Sequence, residues 1–218
     1  MRGNAYLIHE TDALKKLKES IICTGNTYSL GVPRKQDNPL IPDDHHTALS
    51  RLCITENILK KNCALGTEYS QIIQAYVEKG YLRRVEPDEP LPPEVWYLPH
   101  IPVIHMDKTT TKVRIVFDCS EKMDRLSLND AICAGPKLQK DLFDVLIRFR
   151  RNPIAMECDI KEIYLGLEIE ERDGPYFRLF WRALDSNREP DVYKFSRQCY
   201  YLVKSLHQWR LRLALRRI

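Results

Sequence analysis

The chain has 218 residues, of which 44% are hydrophobic and 29% charged, as is ordinary for a globular domain. Its apolar runs are much shorter than the roughly 20 residues of a membrane-spanning helix, and its first residues lack the apolar core and cleavage site of a signal peptide. We therefore expect no membrane partner, and an intracellular, cytoplasmic protein with one large domain or two small ones.

The net charge of +4 is concentrated near the C-terminus. Seven of the 34 basic residues and none of the 30 acidic residues follow Asp191, so residues 1–191 carry a net charge of −3. Because the excess is local, net charge alone does not predict a nucleic-acid partner.

The seven cysteines are scattered and include no C-x-x-C pair. A zinc site needs clustered ligands, and a secreted disulfide framework usually has an even number of cysteines. We therefore expect free and mostly buried thiols. No histidine has a partner at metal-ligand spacing, so we assign no function to His45, His46, His100 or His105.

The first 44 residues are weakly patterned, with a short helix predicted over residues 12–20 and a short strand among loops rich in glycine and proline. Asp43 and Asp44 lie where the N-cap of the next helix belongs. A second helix is predicted over residues 68–80, because apolar side chains recur at helical spacing and Gly80 is a typical residue after a helix end.

Two strands are predicted after the acidic, proline-rich connector EPDEPLPPE. In the second, residues 112–120, apolar Val113, Ile115 and Phe117 alternate with polar side chains, which is typical of a half-buried strand. We expect it to pair antiparallel with residues 95–105. Pro99 and Pro102 predict that this partner is an edge strand.

The most regular helical pattern covers residues 135–152, opening at Gly135 and Pro136 with an apolar stripe along one side. Two further strands are predicted in residues 154–160 and 175–184, flanking a turn at Asp173 and Gly174. Helices and antiparallel strands that do not alternate as βαβ units predict an α+β fold with packed helices.

Asp159 is the first candidate for chemistry, because it ends an apolar strand beside a turn. Two interpretations fit: a capping carboxylate, or a ligand of Mg²⁺, which takes one or two carboxylates and completes its shell with water and phosphate oxygens. The pattern alone favours the cap. For Glu157, on the same strand, it favours a solvated or ion-paired role.

Lys112 and Arg114 are the second candidate, since they lie on one face of a predicted strand. Such cations hold a triphosphate or a phosphate backbone, but a solvated sheet face with Asp118 as a cross-strand partner fits equally simple rules and is favoured by the pattern alone. Nucleotide-binding P-loop, G-x-G-x-x-G and G-x-S-x-G motifs do not occur.

Taken in order, several segments resemble the reverse transcriptase region of BEL/Pao-type LTR retrotransposon polyproteins. The resemblance covers about residues 45–195, and more weakly 20–45. The matching segments are YLPHIPV, TTKVRIVFDCS, SLND, GPKLQKDLFDVLIRFR, DIKEIYLGLEI and FRLFW.

This resemblance implies a partial fingers-and-palm fold over residues 45–197, preceded by a linker segment in residues 1–44. It implies RNA-directed DNA polymerase chemistry on a template-primer of RNA or DNA. Asp159 would be the catalytic Mg²⁺ ligand, Lys112 and Arg114 would contact the incoming dNTP, and Tyr164 would place its ring against the sugar 2′ position.

The resemblance stops at the basic tail, residues 198–218, and no paired aspartates follow Asp159. A frameshift or a splice-derived end would explain the divergent tail. Two-metal catalysis needs further carboxylates, so we expect a truncated reverse transcriptase that does not polymerise DNA alone. Two alternatives stay open: a non-enzymatic nucleic-acid-binding or interaction protein that uses the basic tail, and a translated pseudogene without a stable fold.

Overall fold

The computed structural model describes residues 8–24, 27–36, 41–104, 113–133, 141–151, 153–154 and 167–197. This part of the chain mixes helices with small sheets, which confirms the α+β class. The helices are α1 Ile8–Ser20, α2 His45–Lys61, α3 Cys63–Glu78, α4 Leu128–Ala131, α5 Leu142–Phe149 and a 3₁₀ helix Glu171–Tyr176. The strands are β1 Ile22–Thr24, β2 Thr27–Leu30, β3 Leu82–Arg84, β4 His100–Ile104, β5 Val113–Phe117, β6 Lys122–Met123, β7 Leu126–Ser127, β8 Leu167–Ile169, β9 Arg178–Trp181 and β10 Asp191–Phe195.

Four sheets are formed within the described ranges. Strands β3, β10 and β9 form an antiparallel sheet in that order, and β4 pairs antiparallel with β5. Strand β2 pairs antiparallel with β1 and parallel with β8, while β6 and β7 form a short hairpin. The predicted ribbon of residues 95–105 and 112–120 is thus confirmed as β4 and β5.

Helix α3 begins and ends at residues whose chemistry favours those positions. The Asn62 side chain accepts from the Leu65 N–H at 3.1 Å, which caps the first turn. At the other end Gly80 has φ +70°, a conformation that costs glycine little, and the Tyr81 N–H donates back to the Tyr76 carbonyl at 2.8 Å. The predicted stop at Gly80 is confirmed.

The N-terminus of α2 is capped by one of the two predicted aspartates. The Asp43 carboxylate accepts from the His45 N–H at 3.0 Å. Asp44 occupies the N-cap position, but its side chain makes no capping bond and accepts instead from the Tyr97 N–H. Asp44 therefore connects the start of α2 to the chain segment before β4.

The main core lies between α2, α3 and the strands β4, β5, β9 and β10. Its side chains are apolar and nearly fully buried, and each contributes roughly 1.5–3 kcal/mol of transfer free energy. The largest of those that are completely buried are Tyr69, Trp96, Phe117, Phe177, Phe195, Leu59, Ile73, Leu82 and Leu98.

A smaller apolar cluster joins the N-terminal elements to the rest of the chain. Ala13 and Leu17 of α1 pack on Leu30 of β2 and Leu167 of β8. Beside it, the Val32 N–H donates to the buried Asp173 carboxylate at 2.6 Å, and Arg34 lies 3.5 Å from the same group. Residues 8–36 are thereby attached to β8 and to the 3₁₀ helix.

Two predictions need correction. Asp173 and Gly174 belong to the 3₁₀ helix rather than to a two-residue turn, and the strands flanking it, β8 and β9, lie in different sheets. Three of the five described cysteines are exposed (Cys23, Cys53 and Cys63), so the thiols in this part form no disulfide but are not mostly buried. The predicted strand in residues 154–160 lies almost wholly outside the described residues.

The helix predicted over residues 135–152 is confirmed as α5 for its described part, with Asp141 capping the Phe143 N–H at 2.9 Å. Its opening at Gly135 and Pro136 lies outside the described residues. None of its side chains is buried among them, although the apolar stripe is as predicted. No helix in the described ranges is long and apolar enough to cross a membrane.

Candidate functional site

The β4–β5 ribbon carries Arg114, the one predicted site residue that the structure describes. Lys112, Asp159 and Tyr164 lie outside the described residues, so their positions relative to Arg114 stay predictions. Glu157 lies outside them as well. The structure shows which face of β5 carries Arg114 and which residues fix the β4–β5 ribbon to the core.

The alternation of β5 places Arg114 on the outer face of the ribbon. Val113, Ile115 and Phe117 are buried, and the residues between them are half-buried. Arg114 lies opposite Val103 of β4, a pairing that leaves its guanidinium on the side away from the core. The predicted two-sided character of this strand is confirmed.

Asp118 closes the ribbon at the end of β5. Its N–H donates to the Pro99 carbonyl at 2.8 Å, which extends the pairing with the neighbouring strand by one bond. Its carboxylate accepts from the N–H and the hydroxyl of Ser120, at 2.8 and 2.5 Å. The carboxylate therefore holds the turn that follows the strand.

His100, the first residue of β4, anchors the ribbon from behind. Its ring is buried, with Nε2 2.9 Å from the Phe180 carbonyl and Nδ1 2.6 Å from the Tyr69 hydroxyl. Because a carbonyl only accepts, Nε2 carries the proton and Nδ1 accepts from Tyr69. The Thr55 hydroxyl donates to the His100 carbonyl at 2.7 Å, so α2, α3 and β9 all hold this one residue.

Burial keeps this polar centre uncharged. It lowers the pKa of His100, so the neutral ring is favoured, and it raises the pKa of Tyr69 well above its ordinary value. Edge and tilted contacts with Trp181 and Phe117 enclose the imidazole. The centre is thus a structural anchor in which the neutral forms of both rings are favoured.

A buried ion pair lies beside the anchor. The Arg182 guanidinium donates from Nε and Nη2 to the two oxygens of Glu56, at 2.8 and 2.7 Å. The Glu56 side chain is 2% exposed and that of Arg182 14%. The carboxylate raises the pKa of Arg182 through these bonds, and the fork geometry fixes α2 against the end of β9.

The sequence pattern does not identify this anchor, because His100 has no partner nearby in the sequence that would indicate a role. A signal is present in the predicted ribbon, because a polar ring on its inward face must find hydrogen-bond partners. The observed register places His100 on that face, opposite Phe117. Nothing in the spacing of Thr55, Tyr69 and His100 marks them as neighbours.

The described residues supply no metal centre. No group of three or more His, Cys, Asp or Glu side chains within them is arranged to hold an ion, and the predicted ligand Asp159 lies outside them. No protein-family model matches the sequence, and no curated protein matches it at a significant level.

Proposed function

We propose that this chain carries the fingers and the first part of the palm of a reverse transcriptase of the BEL/Pao retrotransposon type. The parent chemistry is template-directed addition of deoxynucleotides to a primer 3′ end, with an RNA or DNA template. The ordered series of motifs from Tyr97 to Trp181 is the basis of the proposal.

One observation carries the proposal furthest: the motif TTKVRIVFDCS contains a strand that places Arg114 on its outer face and is anchored on its inner face. Arg114 lies outward, opposite Val103, on a ribbon that His100 fixes to two helices and to β9. The strand already fixes the backbone of Arg114, so binding of a phosphate by the guanidinium orders the side chain only, and the guanidinium fork can hold two phosphate oxygens.

The roles proposed for the remaining residues follow from two-metal chemistry. Such a site clamps the attacking 3′-oxygen and the leaving pyrophosphate between two cations held by carboxylates. Asp159 would hold Mg²⁺, Lys112 and Arg114 would neutralise the triphosphate, and the Tyr164 ring would exclude a ribose 2′-hydroxyl.

The proposal separates binding from catalysis. No pair of aspartates follows Asp159 within these 218 residues, so this polypeptide lacks the second set of carboxylates that two metal ions require. We expect it to bind a dNTP with Mg²⁺ and to extend no primer alone.

Binding of a fluorescent dNTP to the full chain, measured by anisotropy with and without Mg²⁺, tests the proposal. Arg114→Ala and Asp159→Asn should each weaken Mg²⁺-dependent binding by about tenfold or more, a loss of about 1.4 kcal/mol. Lys61→Ala, which removes an exposed cation at the end of α2, is the matched charge control. Equal binding by all four proteins, or no binding at all, would contradict the proposal.

Two further measurements address the alternatives. Primer extension on an RNA template should give no product, and extension that Asp159→Asn abolishes would show that the chain is a complete catalyst. Salt-dependent binding of nucleic acid that is lost on deletion of residues 199–218, with no dNTP binding, would favour an interaction protein that uses its basic tail.

A further inference from the structure

The connector between β3 and β4 contains a proline-rich apex, residues 90–93, with the sequence Pro-Leu-Pro-Pro. The rings of Pro90, Pro92 and Pro93 each fix φ near −65°, and a residue that precedes proline is restricted to extended conformations. These constraints together favour the polyproline II conformation, and the apex belongs to no helix or strand.

The apex presents an apolar surface to solvent. Leu91 is 75% exposed, and Pro90 and Pro93 are exposed as well. A polyproline II helix has three residues per turn, so in that conformation Pro90 and Pro93 would share one edge, the spacing of a P-x-x-P ligand, before the chain bends at Pro93 and Glu94. An apolar edge of this kind contributes nothing to the core of the chain.

Both ends of the apex are fastened to the folded part. On one side the Glu89 carboxylate accepts from Arg83 at 2.9 Å and from Lys194 at 2.6 Å, and the Lys194 ammonium lowers the pKa of Glu89. On the other side Glu94 accepts from the Tyr176 hydroxyl at 2.6 Å. Side-chain contacts therefore attach both ends of the apex to the folded part of the chain.

Exposed carboxylates beside the apex indicate the charge that a binding partner would carry. Glu86 and Asp88 precede the apex and are exposed. Within the described part of the chain neither belongs to an ion pair, whereas the neighbouring cations Arg83 and Lys194 are committed to Glu89. The surface next to the prolines is thus negative, and a complementary partner carries positive charge there.

We propose that residues 86–93 are a docking segment for a proline-recognition domain of another protein. Such domains bind a preformed polyproline II segment in a groove lined by aromatic rings, and here the rim of the groove would carry lysine or arginine opposite Glu86 and Asp88. Because the ends of the segment are attached and its prolines restrict φ, its binding should lose less conformational entropy than the binding of an unattached proline-rich linker. This inference is independent of the polymerase proposal.

The test uses the full 218-residue protein and a panel of purified SH3, WW and EVH1 domains immobilised for biolayer interferometry. We expect saturable binding to domains with a basic rim. The double variant Pro90→Ala with Pro93→Ala, and separately Leu91→Ser, should each weaken that binding by about tenfold or more. Pro153→Ala, at an exposed proline outside the connector, should bind as the parent does.

Stability is measured alongside binding. Leu91 is mostly exposed, so Leu91→Ser should leave the melting temperature unchanged and report on recognition alone. The inference is overturned if no domain in the panel binds, or if both apex variants bind as tightly as the Pro153→Ala control.

Discussion

Two buried polar centres hold the segment from Trp96 to His100 against α2, and they are built in opposite ways. At His100 each ring nitrogen has a hydrogen-bond partner, and the residue is 3% exposed. At Asp44, which is 4% exposed, both carboxylate oxygens accept from the Tyr97 N–H, each at 3.1 Å, and the N–H of Asp44 itself is a further donor to the carboxylate. The first centre is satisfied as a neutral group; the second has an acceptor capacity that its surroundings do not fill.

Burial drives both groups towards their neutral forms, with opposite consequences for pH dependence. Desolvation raises the pKa of Asp44 to about 7, against the opposing effect of the Tyr97 N–H, and it lowers the pKa of His100. The free energy of unfolding contributed by Asp44 is full below its unfolded pKa near 4 and is lost as pH rises through 7. The contribution of His100 is full above about pH 6.5 and is lost as pH falls.

The largest loss of stability is expected at Glu56, whose ion pair with Arg182 lies beside the His100 centre. Glu56→Ala should lower the free energy of unfolding by about 3–5 kcal/mol, because it leaves the mostly buried Arg182 guanidinium without its carboxylate. Urea unfolding measures this loss. Glu78→Ala, which removes an exposed carboxylate from α3, is the control and should change stability by less than about 0.5 kcal/mol. A loss below about 1 kcal/mol for Glu56→Ala would show that water reaches Arg182.

Asp44→Asn isolates the contribution of Asp44 to the pH dependence of the unfolding free energy. The amide retains an oxygen for the Tyr97 N–H and cannot ionise, so the stability of the variant relative to the parent should rise by about 2–3 kcal/mol between pH 5 and pH 8. Chemical unfolding of both proteins at several pH values gives this difference, in which the contribution of His100 cancels.

Asp43→Asn is the matched control for that comparison, since Asp43 is the exposed neighbour that caps α2. Its stability relative to the parent should show no comparable rise with pH. If Asp44→Asn were instead destabilising at pH 8, the Asp44 carboxylate would be ionised in the native state and stabilised by the N-terminus of α2.

These two centres also mark how far the sequence determines the fold. The alternation of β5 and the apolar stripe of α3 predict both elements, because each follows from spacing along the chain. The contacts of His100 with Thr55 and Tyr69 join residues 31 or more positions apart, which local pattern does not encode. Asp44 shows the same limit: its position predicts a cap, and only the approach of Tyr97 gives its carboxylate another donor.

In the candidate site, too, local pattern predicts some features and tertiary packing determines the others. The outward direction of Arg114 follows from period-2 alternation, and the structure agrees with it. The convergence of Lys112, Arg114, Asp159 and Tyr164 depends on tertiary packing, and among them only Arg114 is described, so their common site rests on the family resemblance. The apolar face of α5 shows the same limit. The spacing of its apolar side chains predicts that they share one face, but it does not predict which element packs against that face.

Tyr69→Phe is expected to have the smallest of the three effects, and it tests whether full pairing distinguishes the His100 centre. The substitution keeps the ring and removes the donor to Nδ1, so a buried acceptor loses its partner at a cost of about 1–2 kcal/mol in unfolding free energy. Tyr193→Phe, at a half-buried ring of β10, is the control. Nitrogen NMR of the imidazole should show the Nε2–H tautomer in both the parent and the variant, because the Phe180 carbonyl still accepts from it. A switch to the Nδ1–H tautomer would mean that the Tyr69 hydroxyl, rather than the Phe180 carbonyl, determines which ring nitrogen carries the proton. Full hydrogen bonding of both ring nitrogens would then not be what distinguishes the His100 centre from Asp44.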